Sequence, residues 1–327
     1  MDTKLKVAAA QASPVFLDKA ATIKKTCDLI HEAASSGARL VVFPESYVPG
    51  HPLWFKFMPY QEGMSTFYKR FFHGAMLVGG EDTDPLCRAT KETGCTAVVG
   101  MAERDPASAG TIYNSQLVLG EKGDILGVHR KIMPTSYEKL VYAQGDGSTL
   151  KVFPTGFGGL GSLICGEHTN MLACYALLAM NEAVHAASWP PFGTKSDQTG
   201  KYGMEIRTKY HAYAGRVFAV SSCGIYGDDM LSAIPRIQSE LISRGGGSAI
   251  IGPDGRYVAG PCQDREEILY GEIDLEAAID LRGLQDITGH YNRFDIFKFE
   301  VDTRPRRPIT FGDRPDQAAR STKGWKD

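Results

Sequence analysis

The chain lacks several features that would assign its class at once. No apolar run approaches the roughly 20 residues of a membrane helix, so a helical membrane span is not expected. Lysine and arginine (36) nearly balance aspartate and glutamate (38), and the formal net charge is −2. That balance gives no electrostatic reason to expect nucleic acid or a membrane surface as partner. Cysteine is sparse, with seven residues at 27, 87, 95, 165, 174, 223 and 262, and none forms a Cys-x-x-Cys pair. An odd, scattered set argues against a disulfide framework or a zinc knuckle and suits reduced thiols in a cytoplasm. The eight histidines show no His-Glu-x-x-His or similar ligand spacing, so no metal is expected.

What is present is an ordinary core-forming composition, 43% hydrophobic and 23% charged, enough for one large α/β domain. The opening "MDTKLKVAAAQASPVF" has an apolar segment too short for a secretory signal. It reads as a first buried strand, Leu5 to Ala10. Helical spacing of Ala21, Ile23, Cys27, Ile30 and Ala34 predicts a helix over 18–36, stopped by Gly37. "ARLVVFPES", "CTAVVGMAERD", "TIYNSQLVLG", "DILGVHRK", "GGLGSLICGE", "AVHAASWPP" and "RVFAVSSCG" read as further strands. Helices are predicted over 169–181 and near 196–215. "GGGSAIIGPDGRYVAG" reads as a hairpin with a Pro-Asp-Gly turn, and "EILYGEIDLEAAIDL" as a strand running into a helix. Alternating strands and helices predict sheets covered by helices on their outer faces. Residues 1–299 read as one domain and the Pro- and Arg-rich 300–327 as an arm or tail.

Two glycine strings are set aside. "GFGGLG" (156–161) fits Gly-x-Gly-x-x-Gly, but it precedes a strand instead of opening a helix after one. "RGGG" (244–247) lacks the Lys-Ser/Thr of a phosphate loop. Neither string therefore points to a nucleotide.

Three strand ends carry chemistry. Glu45 follows "VVFP", Lys131 follows "GVHR" with Glu138 seven residues on, and Cys165 closes "GSLI". Taken alone each has a bland reading: a buried small thiol, a capping carboxylate, a solvated basic pair with Arg130. Taken together they complement one another, because strand ends converge in α/β folds. A thiol near pKa 8.5 needs its proton removed, a carboxylate removes it, and an ammonium holds the charge that develops.

The ordered segments "FPES", "HRKIMPT" with its following Glu and "GDG", "ICGEHTN", "ASWPP" and "GHYNRFDIF" resemble the nitrilase branch of the nitrilase superfamily of carbon–nitrogen hydrolases. The resemblance spans 7–299. It implies a four-layer α-β-β-α sandwich, a homodimer that assembles further, and a Glu45–Lys131–Cys165 triad with Glu138 supporting the lysine. It also implies hydrolysis of an organic nitrile to carboxylic acid and ammonia without a cofactor. Many members read Cys-Trp-Glu at the nucleophile, whereas this chain reads Cys165-Gly166-Glu167, a variant associated with aryl or arylaliphatic nitriles. His168 stands where asparagine is usual. An amidase, carbamoylase or cyanide-converting enzyme on the same triad is the nearest alternative, and an inactive binding module the remote one.

Around that triad, Glu167 is expected as a buried hydrogen-bonding residue at the helix entrance, and His168 as a pocket wall or a cap. Nine aromatics within 46–72 suit a core helix with an oligomer contact, a substrate wall, or both, with Tyr47 and Trp54 nearest the site. Trp189 and Pro190, after another strand end, are a second wall candidate.

Overall fold

The structure, a computed structural model, describes residues 3–306. Most of the expected arm, 307–327, lies outside the described residues. The strands in chain order are β1 (Lys4–Gln11), β2 (Ala38–Val42), β3 (Thr96–Arg104), β4 (Ile112–Leu119), β5 (Ile125–Arg130) and β6 (Phe153–Thr155). They continue as β7 (Gly158–Ile164), β8 (Val184–Trp189), β9 (Phe218–Cys223), β10 (Gly246–Ile251), β11 (Tyr257–Gln263) and β12 (Glu267–Asp274). They form two six-stranded sheets, ordered β12-β1-β2-β3-β4-β5 and β11-β10-β9-β8-β7-β6. In each, three central strands run parallel (β1-β2-β3 and β7-β8-β9) and the flanking pairs are antiparallel.

The near-continuous apolar runs of the central strands are explained by burial on both faces. Leu5, Val7, Leu40, Val42, Val98 and Val118 of the first sheet meet Phe153, Leu160, Val184, Val220 and Ile250 of the second. On the outer face of the first sheet, Ala8, Val41, Ala97 and Val99 pack on Ile23, Ile30 and Ala33 of the helix Lys19–Ser35 and on Leu86 and Ala89 of the helix Asp84–Thr93. On the outer face of the second, Leu163 packs on Ala173 and Leu177 of the helix Met171–Ala179, and Ala219 on Ala212 of the helix Gln198–Gly215. These are the four layers, helix, sheet, sheet, helix, that the resemblance implies. Each fully buried leucine or valine between the sheets stabilises them by about 1.5–3 kcal/mol.

Side chains also tie the sheets together at the end where the site lies. Ser188 Oγ donates to Phe43 O at 2.7 Å and accepts from Gln116 Nε2 at 2.8 Å. The Glu45 N–H donates to Trp189 O at 3.2 Å. The aromatic stretch 46–72 differs from the expected core helix. A short helix, Trp54–Phe57, is followed by a helical run in which Tyr60–Gly63 and Lys69–Gly74 are joined by a wider turn over Met64–Tyr68. Pro49, Pro52 and Pro59 interrupt the stretch, and proline cannot continue a helix.

Candidate active site

Each candidate residue sits just past a strand end. β2 ends at Val42 and the chain turns through Pro44 to Glu45; β5 ends at Arg130 and Lys131 follows; β7 ends at Ile164 and Cys165 follows. Ser46 (φ 48°), Ser136 (φ 52°) and Cys165 (φ 47°) lie in the left-handed region, which costs a non-glycine residue of order 1 kcal/mol or more. Strain of this kind persists only where the surroundings impose it, and here it turns each segment abruptly away from its sheet.

Lys131 is held between two carboxylates. Its Nζ donates to Glu45 Oε1 at 2.6 Å and to Glu138 Oε2 at 2.7 Å, with no exposure at the lysine side chain. Glu138 is fixed in turn, since the same Oε2 accepts from Thr135 N at 2.9 Å at the start of the short helix Ser136–Leu140. Asn114 joins the set from β4. Its Nδ2 donates to Glu45 Oε1 at 2.7 Å, and its backbone O accepts from Lys131 N at 2.8 Å. Glu45 Oε2 is buried without a hydrogen-bond partner among the described residues, leaving one oxygen available for a proton.

The electrostatics follow from burial opposed by pairing. Burial pushes Glu45 up to about 7, with Lys131 pulling against it and Glu138 adding to it. A carboxylate near 7 is matched to general-base work at neutral pH. Burial also presses Lys131 toward its neutral form, but the carboxylates of Glu138 and Glu45 outweigh it and hold it well above the ordinary lysine range. Cys165 is raised well above the ordinary thiol range, by burial first and by Glu45 second, while Lys131 opposes them. The resting sulfur is thus a thiol that feels both neighbours.

Glu167 is buried at the entrance of the short helix after β7, with both carboxylate oxygens engaged. Oε1 accepts from Ile132 N at 2.7 Å; Oε2 accepts from Ile164 N and from His129 Nε2, both at 2.8 Å. It therefore fastens the end of β7, before Cys165, to the residue after Lys131. His129 is raised, the carboxylate of Glu167 outweighing burial, and Glu167 is lowered, His129 and two backbone N–H groups outweighing burial. Gly166 is confined as well, since a Cβ there would lie 2.6 Å from Thr135 Oγ1.

Trp189 belongs to the same apolar cluster as Cys165, with Phe192, Met204 and Cys223, and Pro190 beside it is buried. His168 stacks on Trp189 with ring centres 4.7 Å apart. Tyr47 and Trp54 are buried in two other clusters. Tyr47 packs against Phe43, and Trp54 against Phe16, Phe67 and Phe71. Asn114, His129 and Phe192 were not expected as site residues. The only sequence signal for Asn114 was three successive polar residues, Asn114-Ser115-Gln116, inside an apolar strand, all of them buried.

The carbon-nitrogen hydrolase family profile matches residues 6–282. An aliphatic nitrilase from Rhodococcus rhodochrous is 36% identical over 93% of this chain and 84% of its own length. An arylacetonitrilase from Aspergillus kawachii is 32% identical over 94% of this chain and 95% of its own. The crystal structure of a carbon-nitrogen hydrolase from Helicobacter pylori superposes with a TM-score of 0.69 at 21% identity, covering 86% of this chain and 93% of that one, a likeness of fold. By sequence along most of its length and by its two-sheet sandwich, the chain belongs to the carbon-nitrogen hydrolase family.

Proposed function

We propose that the protein hydrolyses an organic nitrile, of the aryl or arylaliphatic class, to the carboxylic acid and ammonia. The observation that carries the reading is one ammonium gripped by two buried carboxylates, within electrostatic reach of a thiol on a strained strand end. The Cys165 sulfur adds to the nitrile carbon while Glu45 takes the thiol proton, which passes to the nitrile nitrogen to give a thioimidate. Lys131 stabilises charge on that nitrogen, with the Gly166 N–H as a further donor, and Glu138 holds Lys131 charged and aimed. Water activated by Glu45 adds to the thioimidate carbon. Breaking the C–N bond expels ammonia and leaves a thioester, which a second water converts to acid and free thiol. Breaking the C–S bond at the same intermediate would release the amide.

The relatives' names include aliphatic nitrilase, arylacetonitrilase and nitrilase without a stated class. Trp189, Phe192 and the small Gly166 near Cys165 favour a flat aromatic substrate. Ammonia release from paired phenyl-substituted and aliphatic nitriles, with their amides, tests both class and reaction. Cys165→Ala is expected to abolish turnover with the fold retained. Turnover by that variant, or activity on the amides alone, would overturn the proposal.

We read the assembly as a homodimer or larger, in a reducing cytoplasm, with 1–299 as the working domain. Tyr202, Ile206 and Tyr210 form an exposed stripe on the helix Gln198–Gly215, with Met171 and Leu172 exposed on Met171–Ala179, and a second copy is the occupant that fits a self-complementary apolar face. All seven cysteines are free, and among the described residues no helix is long and apolar enough to cross a membrane. Sedimentation as a monomer at micromolar concentration would count against the assembly.

A further inference from the structure

Behind the nucleophile lies a buried chain of ionisable groups that the reaction above does not use. His168 Nδ1 lies 2.9 Å from the backbone O of Cys165, and its Nε2 lies 2.9 Å from His185 Nε2. His185 Nδ1 lies 2.6 Å from Glu182 Oε1, and His211 Nε2 lies 2.8 Å from Glu182 Oε2. All four side chains are buried, at 4% exposure or less. These contacts have hydrogen-bond lengths. They are shorter than the separation of about 3.4 Å that two nitrogen or oxygen ligands adopt around a tetrahedral zinc, so the group is better suited to protons than to a metal.

Counting the protons gives a definite answer. The path from Cys165 O to Glu182 begins on a carbonyl oxygen and ends on a carboxylate that His185 and His211 hold down to about 2 against burial, so both ends only accept. It crosses three hydrogen bonds through the four ring nitrogens of His168 and His185. Three bonds need three N–H hydrogens, and two neutral imidazoles carry only two. One of the two rings is therefore an imidazolium, balanced by the Glu182 carboxylate. Burial, together with His185 and His211, presses His168 well below the ordinary imidazole range. Burial and His211 lower His185 as well, with Glu182 opposing them, and it is the 2.6 Å contact of His185 Nδ1 with the Glu182 carboxylate that places the extra proton on His185. Glu182 also outweighs burial to raise the proton affinity of His211. The other partner of His211, however, is the Cys174 thiol, a weak one, and its Nδ1 makes no hydrogen bond to nitrogen or oxygen among the described residues, so geometry favours the His168–His185 pair. The other charged or titratable groups facing the chain are Arg207, Cys174 and His129.

We infer that Glu182, His185 and His168 form a proton-sharing relay that clamps the carbonyl of Cys165 and so positions the nucleophile. The inference rests on the nitrile-hydrolase reading above. Donation into the Cys165 carbonyl holds that residue in its left-handed conformation. It also polarises the Cys165–Gly166 peptide, strengthening the Gly166 N–H as a donor to charge on the substrate nitrogen. The three are positioning residues, because none touches the reacting atoms.

The test is a mutant cycle on the full chain, with phenylacetonitrile as probe. His168→Leu is expected to lower kcat 10- to 100-fold while KM changes less than threefold. His168→Asn, which keeps an N–H for the carbonyl without needing a proton from His185, is expected to recover at least tenfold of that loss. His185→Phe is expected to cost about as much as His168→Leu in the wild-type background and less than threefold in the His168→Asn background. His185→Gln replaces it should the phenylalanine variant fail to fold. Equal losses in both backgrounds, or a His168→Asn enzyme no better than His168→Leu, would overturn the relay. Labelling of Cys165 by iodoacetamide, read by mass spectrometry, follows the same series without a nitrile. A change of more than threefold in His168→Leu but not in His168→Asn supports the relay, and no difference between the two refutes it. A wild type that labels in this order yet leaves every nitrile untouched would remove the functional reading and keep the relay.

Discussion

Replacing Glu138 with glutamine tests the electrostatics of the site directly. Two carboxylate oxygens at 2.6 and 2.7 Å from one ammonium nitrogen stand about 4 Å apart. Unit charges at that separation repel by about 4 kcal/mol at an effective dielectric of 20. Each charge is spread over two oxygens, so roughly 2–3 kcal/mol is realistic, equivalent to about two pKa units. Glu138 raises Glu45, so its neutralisation lets Glu45 lose its proton at lower pH. The base works when ionised, so the acid limb of the kcat/KM profile, expected near pH 7 in the wild type, should move down by one to two units. Plateau kcat should fall 10- to 100-fold, because the base is weaker and Lys131 has lost one of its two anchors. Ammonia release against pH, with phenylacetonitrile, measures both quantities. An acid limb that stays in place or moves upward would refute the coupling of Glu45 to Glu138 through Lys131.

Three further substitutions probe the supports. Gly166→Ala places a Cβ 2.6 Å from Thr135 Oγ1 and should cut turnover at least tenfold, with most of it restored in Gly166→Ala/Thr135→Ala; failure of the double variant to recover would mean the contact is not the cause. Glu167→Gln breaks a buried pair and should cost about 3–5 kcal/mol in chemical denaturation. Glu167 is depressed below its ordinary value near 4.5, so its contribution is present above that pH and fades as pH falls through its folded value. His129 is raised above 6.5, so its contribution is present below that pH and is lost as pH rises through its folded value. The stability gap between wild type and variant should therefore peak between about pH 5 and 6.5, and a gap that keeps growing above pH 8 would contradict the assignment. Ser188→Ala leaves Gln116 Nε2 without its acceptor between the sheets and should destabilise by about 1–3 kcal/mol, so an unchanged denaturation midpoint would show that this tie contributes nothing.

Much of the scaffold could be read in advance because its causes are local. Two-sided burial demands continuous apolar runs, and β2, β3, β8 and β9 carry them. Gly255, at φ 78°, supplies the turn that "PDG" announces between β10 and β11. The stretch 46–72 was harder, since aromatics fit helix and loop equally well; Pro49, Pro52 and Pro59 all precede the helical run that begins at Tyr60, and no residue type announces the wider turn over Met64–Tyr68. Glu167 was legible as a buried polar residue. Its partners, Ile132 just past β5 and His129 on it, lie 35 and 38 residues earlier, and no spacing in the sequence pairs them.

What the sequence determined by itself was the set of strand ends, and with it where Glu45, Lys131 and Cys165 stand, because strand length and the residues that stop a strand are written locally. The tertiary structure decided which groups share a proton or a charge. Lys131 between two carboxylates, and His168 joined through His185 to Glu182, depend on contacts among segments far apart in the chain. Those distances exist only once the two sheets have closed and water has been excluded, when a partner a few ångströms away outweighs the cost of burial.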